Sequence, residues 1–241
     1  MTNDTTSQLT SPLSAQLSRA EIDLGLRRFM LSVYNYMGFG LALTGLVAYL
    51  AAESGLYGSL VKTPILLWAI VLAPLPLVFI LSFRIEKMGI GAAQAMFCAY
   101  AALIGLSLSG AFLVYTGVSI ARTFFITAAT FLAMSLYGYT TRTDLARIGS
   151  FLLMGLIGIM VAGLVNLFLA SSVLQLAISI IGVIVFVGLA AYDTQRIKEI
   201  YLESDTPAIA GKKAILGALA LYLDFINLFL LLLQLSGERR E

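Results

Sequence analysis

Histidine is absent from this 241-residue chain, and cysteine occurs once, at Cys98. Without histidine there is no base for a Ser/His/Asp or Cys/His nucleophilic site, no zinc site of the HExxH kind and no haem-ligating imidazole. One cysteine forms neither a disulfide framework nor a thiolate metal cage within one chain. Because Cys98 lies inside an apolar run, we interpret it as a small packed side chain. Much enzyme chemistry is thereby excluded.

Charge is also scarce in the sequence. Lys, Arg, Asp and Glu make up 12% of the residues and the formal net charge is +2, whereas 60% of the residues are hydrophobic and the mean hydropathy is +0.95. These values lie far outside the range of soluble proteins. The basic residues form no patch, which argues against nucleic acid as a partner. The composition therefore predicts an integral membrane protein in contact with the lipid bilayer.

Runs without charge delimit the predicted spans. A helix rises 1.5 Å per residue and needs about 20 residues to cross a hydrocarbon core of about 30 Å. The longest run is long enough for two helices with a turn at Ser171–Ser172, and another holds one helix to about Val114 and then a loop. We therefore predict an all-α, multi-pass bundle of about seven transmembrane helices. The runs are 29–52, 63–83, 88–121, 123–141, 148–192 and 214–237, the last interrupted by Asp224.

Polar segments flank the predicted spans. Residues 1–28 form a polar N-terminal tail, expected to be disordered or cytoplasmic, and its first 18 residues lack the apolar core of a signal peptide. Residues 29–237 form a single seven-helix transmembrane domain, and residues 238–241 form a short C-terminal tail.

The distribution of basic residues predicts the orientation, because these residues concentrate in cytoplasmic loops. With the N-terminus inside, eleven of the 15 lie on the cytoplasmic side, and the other side holds only Lys62, Arg122, Arg239 and Arg240. We expect a cytoplasmic N-terminus and a C-terminus outside, although a re-entrant last segment would place the C-terminus inside.

Asp224 interrupts the last apolar run near its middle. It lies eleven residues after Lys213, about 16 Å along a straight helix, and therefore close to the bilayer centre. Ionisable residues at this depth are costly and usually face a partner or a water cavity, which favours a functional role. One helical face carries a stripe of small and polar residues that favours an inward orientation of Asp224: Lys213, Gly217, Ala220, Asp224, Asn227, Leu231 and Gln234.

A second acid, Asp193, ends the preceding span. Its helical face carries Gln175, Ser179 and Gly182. An ion pair with Arg196 at the membrane surface would account for Asp193 equally well. If Asp193 and Asp224 approach each other, repulsion and desolvation favour protonation, so the pair would sense pH. In the deprotonated form it would offer oxygen ligands to Ca²⁺.

A basic residue could compete with Ca²⁺ for these carboxylates. Arg84, at the cytoplasmic end of the second span, is the best-placed candidate for such a latch. It could equally belong to a loop charge cluster with Glu86 and Lys87.

Two patterns resemble intramembrane proteases. The run GLSLSG at 105–110 is similar to the serine motif of rhomboid proteases, but no histidine is present to activate a serine. Tyr192-Asp193 with a second aspartate one helix later resembles the presenilin-like aspartyl proteases, in which two carboxylates activate water. Their Gly-x-Gly-Asp motif is replaced by Leu221-Tyr222-Leu223-Asp224, and their Pro-Ala-Leu signature is missing.

Three segments resemble the Bax inhibitor (transmembrane Bax inhibitor motif) family, and most closely its bacterial members. They are 123–145 (TFFITAATFLAMSLYGYTTRTDL), 188–198 (GLAAYDTQRIK) and 220–235 (ALYLDFINLFLLLLQL). The last segment is highly specific, and the likeness runs from about Phe29 to Gly237.

The resemblance implies a bundle with the last helix central and a pH-sensitive calcium leak controlled by two aspartates. These correspond to Asp193 and Asp224, as proton sensors and transient Ca²⁺ ligands. The pore-closing arginine of the family corresponds to Arg84 in the segment SFRIEK. We also expect a supporting role for three polar residues near the acids: Asn227, Gln195 and Tyr192.

We therefore expect a non-enzymatic, pH-sensitive calcium (cation) leak channel of a bacterial inner membrane, with Ca²⁺ and protons as its ligands and no cofactor. The first alternative is a non-conducting regulator that binds and modulates a membrane-bound protease. The second is an intramembrane aspartyl protease.

Overall fold

The computed structural model describes residues 11–240, with side chains from residue 23 onward except those of 59–61, 64 and 67. Seven helical segments in this range are long and apolar enough to cross a membrane, which confirms the all-α, multi-pass bundle. A 3₁₀ turn at Ile85–Lys87 follows the fourth helix. The helices are α1 (Ser11–Glu53), α2 (Leu56–Val61), α3 (Pro64–Leu72), α4 (Pro74–Arg84), α5 (Ile90–Val114), α6 (Gly117–Thr140), α7 (Ala146–Leu169), α8 (Ser172–Glu199) and α9 (Pro207–Ser236).

The second span is divided between α3 and α4. Pro74 begins α4, and proline supplies no backbone N–H for the helical ladder. Ala73 keeps a helical backbone, and its N–H donates to the Ala69 carbonyl. The run predicted as one helix over 63–83 is therefore interrupted at a proline but still forms a single crossing, Trp68–Lys87.

The predicted turn between the fifth and sixth spans lies within one residue of its observed position. α7 ends at Leu169, and Ala170 adopts the left-handed conformation, with φ of 48°. The Ser171 hydroxyl then accepts a hydrogen bond from the Leu174 N–H and caps α8. The loop predicted after Val114 is present as well, between α5 and α6.

Several helices extend beyond the charge-free runs. α8 continues to Glu199, and α9 begins at Pro207, seven residues before the predicted start at 214. The predicted starts and ends mark the apolar part of each helix, because charged residues at a helix end lie beyond the hydrocarbon. Within the tail predicted over 1–28, residues 11–28 belong to α1 and are helical, and residues 1–10 lie outside the described range.

α9 is the central helix, as the family resemblance implies. In the most apolar 18-residue stretch of α9, 67% of the residues are buried, compared with 6–39% in the corresponding stretches of the other six spans. It packs against α1, α5, α6 and α8. α7, with 6%, lies at the periphery. A helix surrounded on all sides can present polar groups to other helices rather than to lipid.

Close approach of helices depends on small residues. A Cβ atom at Gly138 of α6 would collide with the backbone carbonyl of Ala191 on α8. A Cβ atom at Gly105 of α5 would lie 2.6 Å from the backbone oxygen of Thr44 on α1. Without a hydrophobic force between helices in lipid, such backbone contacts supply the packing.

Three loops lie at the same end of the bundle, as the contacts of their residues show. Lys212 Nζ donates to the Glu86 carbonyl, and Leu145 N–H donates to Gln195 Oε1, 2.8 Å away. Gly25 of α1 packs against the Tyr201 ring at the same end. The α4–α5, α6–α7 and α8–α9 loops therefore lie beside the N-terminal part of α1, and this end carries most of the basic residues.

The C-terminal segment lies at the opposite end. Arg239 pairs with Tyr115 in an isolated antiparallel bridge, and Glu238 N–H donates to the Ser119 hydroxyl, 2.9 Å away. A 3.3 Å ion pair joins Glu238 to Arg122. The described part of the predicted C-terminal tail is therefore held against the α5–α6 loop, and α9 crosses the whole bundle rather than re-entering.

We predict that reporter fusions at Arg142 and Asp205 report the cytoplasmic side and that fusions at Glu53 and Glu241 report the opposite side. Paired alkaline phosphatase and fluorescent protein fusions measure this, since each is active on one side only. Opposite results at Arg142 and Asp205 would contradict the topology.

Candidate functional site

The two stripes predicted on the last two helices face each other in the α8–α9 interface. Near the C-terminal end of α9, Gln234 accepts hydrogen bonds from Gln175 and Ser179, at 2.7 and 3.1 Å. Further along, Leu231 covers Gly182, and Ile197 covers Gly217. The spacing of small and polar residues therefore indicates a real interface between antiparallel helices.

Asp193 and Asp224 meet within this interface. Their carboxyl groups are within hydrogen-bonding reach of each other. When one of the two is protonated, it can donate a hydrogen bond to the other. Asp224 is only 5% exposed, and its Oδ2 has no hydrogen-bond partner among the described residues. Asp193 is half-buried. The structure thus brings together the two acids singled out in the sequence.

Arg196 interacts electrostatically with Asp193, but it is exposed and lies beyond ion-pair distance. A surface ion pair does not account for Asp193. Arg84 is exposed at the end of α4 and forms no ion pair or hydrogen bond within residues 23–240. The structure does not bring the predicted latch to the aspartates.

The pair presents carboxyl oxygen atoms, which are hard ligands, in a confined space. Two adjacent carboxyl groups can share one proton or hold a cation between them. Among the described residues no group of three or more His, Cys, Asp or Glu side chains could hold a metal ion. Since Ca²⁺ takes six to eight oxygen ligands, the pair is suited to transient contact rather than to a resident ion.

The three polar residues expected to support the acids have other contacts. Gln195 bonds to backbone groups of Leu145 and Thr143, which fixes the α6–α7 loop on α8. The Tyr192 ring packs over Gly149, and Asn227 donates to the Leu223 carbonyl within its own helix. These contacts position the helices, and a supporting role of the three residues beside the carboxyl pair stays a prediction.

An apolar layer separates the pair from the opposite end of the bundle. It contains six buried side chains from three helices, which we call the apolar seal: Leu152 of α7, Val185, Phe186 and Leu189 of α8, and Leu228 and Leu231 of α9. Beyond the seal, Asn166 donates to Gln175, which donates to Gln234, at 3.0 and 2.7 Å. This outer amide network lines a cavity of about 450 Å³.

Sequence reasoning missed a row of buried hydroxyl groups on α6. Ser119, Thr123, Thr127 and Ser135 are at most 2% exposed, and Ser135 shares a 2.9 Å hydrogen bond with Thr194, next to Asp193 in the chain. The Thr123 hydroxyl is buried without a partner in the described part of the chain. The available signal was the four-residue spacing of Ser119, Thr123 and Thr127, which places these three on one helical face, with Ser135 two such steps further on.

We predict that Asp224→Asn folds with an equal or higher melting temperature at neutral pH, because it removes a buried charge whose Oδ2 has no partner. Asp205→Asn is the matched control, because Asp205 is buried and lies 2.6 Å from Lys213. It should lower the free energy of unfolding by about 1–3 kcal/mol. Thermal unfolding in detergent measures both, and a large loss in Asp224→Asn alone would contradict the interpretation.

Comparison with known proteins supports the resemblance. A model of the family described as inhibitor of apoptosis-promoting Bax1 matches residues 26–241. The chain is 51% identical to the "Inner membrane protein YbhL" of Escherichia coli over 219 residues, which cover 90% of this chain and 94% of that protein. It is 47% identical to an uncharacterized protein of Rickettsia prowazekii over 242 residues, covering 96% and 98%. With its seven apolar helices, the chain is a multi-pass inner-membrane protein, and it belongs to the Bax inhibitor family.

Proposed function

We propose that the protein is a pH-sensitive calcium leak channel whose conduction depends on the pair Asp193 and Asp224. The observation that carries the proposal is the meeting of these carboxyl groups inside the bundle, next to an apolar seal. The resemblance to the Bax inhibitor family implies the same activity.

The pH sensitivity would arise because the negative charge of the pair has to be neutralised. Two ionised carboxylates in a poorly solvated site repel each other strongly, so that they do not both remain charged and empty. A shared proton relieves the repulsion, and so does a divalent cation. Protons and Ca²⁺ therefore compete for one position, and occupancy by Ca²⁺ falls as the pH falls.

Conduction requires a change at the apolar seal. Leu228 is fully buried and Leu231 is 9% exposed, so the described structure holds no hydrated route from the pair to the outer amide network through this layer. Hydrophobic constrictions of this kind conduct when water enters them. We propose that neutralisation of the pair and hydration of the seal are coupled through α9, which carries both Asp224 and Leu228.

An enzymatic role receives less support. An aspartyl protease needs two carboxyl groups that hold an attacking water beside a peptide substrate. Asp224 is nearly inaccessible, and the segment preceding it lacks the Gly-x-Gly motif. We therefore propose a protein without catalytic activity.

We predict that Asp224→Asn abolishes the pH dependence of Ca²⁺ flux, because the amide stays uncharged at every pH. Flux into liposomes containing the purified protein, measured between pH 5 and 8, tests this. Glu199→Gln is the control, since Glu199 is an exposed acid on the same helix as Asp193 and should keep the wild-type profile.

The pair should also behave as one unit. Asp193→Asn should alter the same titration, and the double variant should differ little from the more severe single variant. If Asp224→Asn folds and keeps both the magnitude and the pH profile of wild-type flux, the acid is structural. A non-conducting regulator of a membrane-bound protease would then become the better proposal.

We further predict that Leu228→Ala raises the basal flux several-fold, because it opens a cavity in the apolar seal. Leu233→Ala is the matched control: Leu233 is 1% exposed on the same helix but lies outside the seal. Each substitution should destabilise the bundle by about 2–5 kcal/mol. A difference in flux between the two variants would therefore not be explained by a difference in their stability. Equal flux in the two variants would remove the seal from the mechanism.

A further inference from the structure

A groove runs along α1 at the end of the bundle that carries the basic loops. A cavity of 540 Å³ lies between α1 and α5, and one of 490 Å³ lies between α1, α9 and the α8–α9 loop. Ser32 and Tyr36 line both cavities, so the two adjoin. We call this feature the α1 groove; its lining includes Arg28, Ser32, Asn35, Phe39, Gln94 and Glu203.

The inner part of the groove presents polar groups to the lipid. Asn35 is exposed, lies between Leu31 and Phe39, which are 52% and 57% exposed, and makes no hydrogen bond within residues 23–240. The Tyr36 hydroxyl accepts a 2.6 Å hydrogen bond from Gln94, which joins α1 to α5 at the groove. An amide facing hydrocarbon without a partner is unfavourable by several kcal/mol. A ligand that brings hydrogen-bond acceptors to this depth would satisfy Asn35.

The outer part of the groove carries one free charge of each sign. Arg28 is the last charged residue before the apolar run of α1, is exposed and makes no ion pair with a described residue. Two carboxylates line the same cavity, and one of them, Asp205, is neutralised by Lys213 at 2.6 Å. The other, Glu203, is exposed and has no ion pair in the described chain. Arg28 directly precedes the apolar run of α1, whereas Glu203 lies in the loop before α9. We therefore expect the unpaired cation to lie nearer the hydrocarbon than the unpaired carboxylate.

We propose that the α1 groove binds one phospholipid with a phosphoethanolamine headgroup. In such a lipid the phosphate is attached to the glycerol and the ammonium lies beyond it, which matches the order of Arg28 and Glu203. The glycerol ester carbonyls accept hydrogen bonds from the Asn35 amide, and an acyl chain lies against Phe39. A primary ammonium donates hydrogen bonds to Glu203, whereas a quaternary ammonium has no N–H to donate.

Native mass spectrometry of the purified full-length protein tests the site, with phosphatidylethanolamine, phosphatidylglycerol and phosphatidylcholine of matched acyl chains added to the detergent. The wild type should retain phosphatidylethanolamine in preference to the other two. Arg28→Gln should weaken its retention about tenfold, as expected for loss of a charge-assisted contact. Glu203→Gln should remove the preference for phosphatidylethanolamine over phosphatidylcholine and phosphatidylglycerol.

Arg147→Gln and Glu199→Gln are matched controls, because both residues are exposed charges outside the groove, and neither substitution should change lipid retention. Melting temperatures establish that each variant is folded. Equal retention of the three lipids by the wild type would overturn the proposal. It would also be overturned if Arg147→Gln lowered retention as much as Arg28→Gln, or if Glu203→Gln left a headgroup preference unchanged.

Discussion

The burial of Asp224 is the constraint on which the rest of the arrangement depends. A carboxyl group far from both ends of a membrane helix needs another group to share its proton or its charge. Asp193 supplies that group, because α8 lies antiparallel to α9 with glycine and small residues where the two helices approach most closely. The surrounding helices then shield the pair from lipid, which explains why α9 is buried on all sides while α7 is almost entirely peripheral.

This arrangement separates the interface into layers of different polarity. The carboxyl pair occupies one layer, the apolar seal the next, and the outer amide network the third. Polar layers therefore lie at both sides of an apolar one, so the interface is not a uniform packing core. The hydroxyl groups of α6 add a second polar surface beside the pair, through the contact between Ser135 and Thr194.

The number of spans and the pairing of the acids could be predicted from the sequence because both depend on local regularities. Long charge-free runs define membrane crossings, and helical spacing places Gly217 and Asp224 on one face. The start of α9 could not be predicted in the same way, since Lys213 lies inside the helix and its charge is satisfied by Asp205. The hydrogen-bond partners of Gln195 could not be predicted either, because they belong to a loop that is about fifty residues distant in the chain.

The role of Arg84 as a latch stays a prediction from resemblance, because this side chain is exposed at the end of α4 and has no ion pair among the described residues. The α1 groove, by contrast, is marked by no motif in the sequence. It exists only because Asn35 and Gln94 come from helices that are adjacent in space and separated by the whole second span.

The central position of α9 also bears on biogenesis. Chains emerge from the ribosome N-terminus first, so the central helix is the last of the seven described spans to be synthesised. Until it arrives, the Thr44 hydroxyl has the Ala101 carbonyl as a partner but not the Tyr222 hydroxyl, and Asp193 lacks the carboxyl group that faces it. The first six spans therefore cannot reach their final packing before α9 has been synthesised and inserted among them.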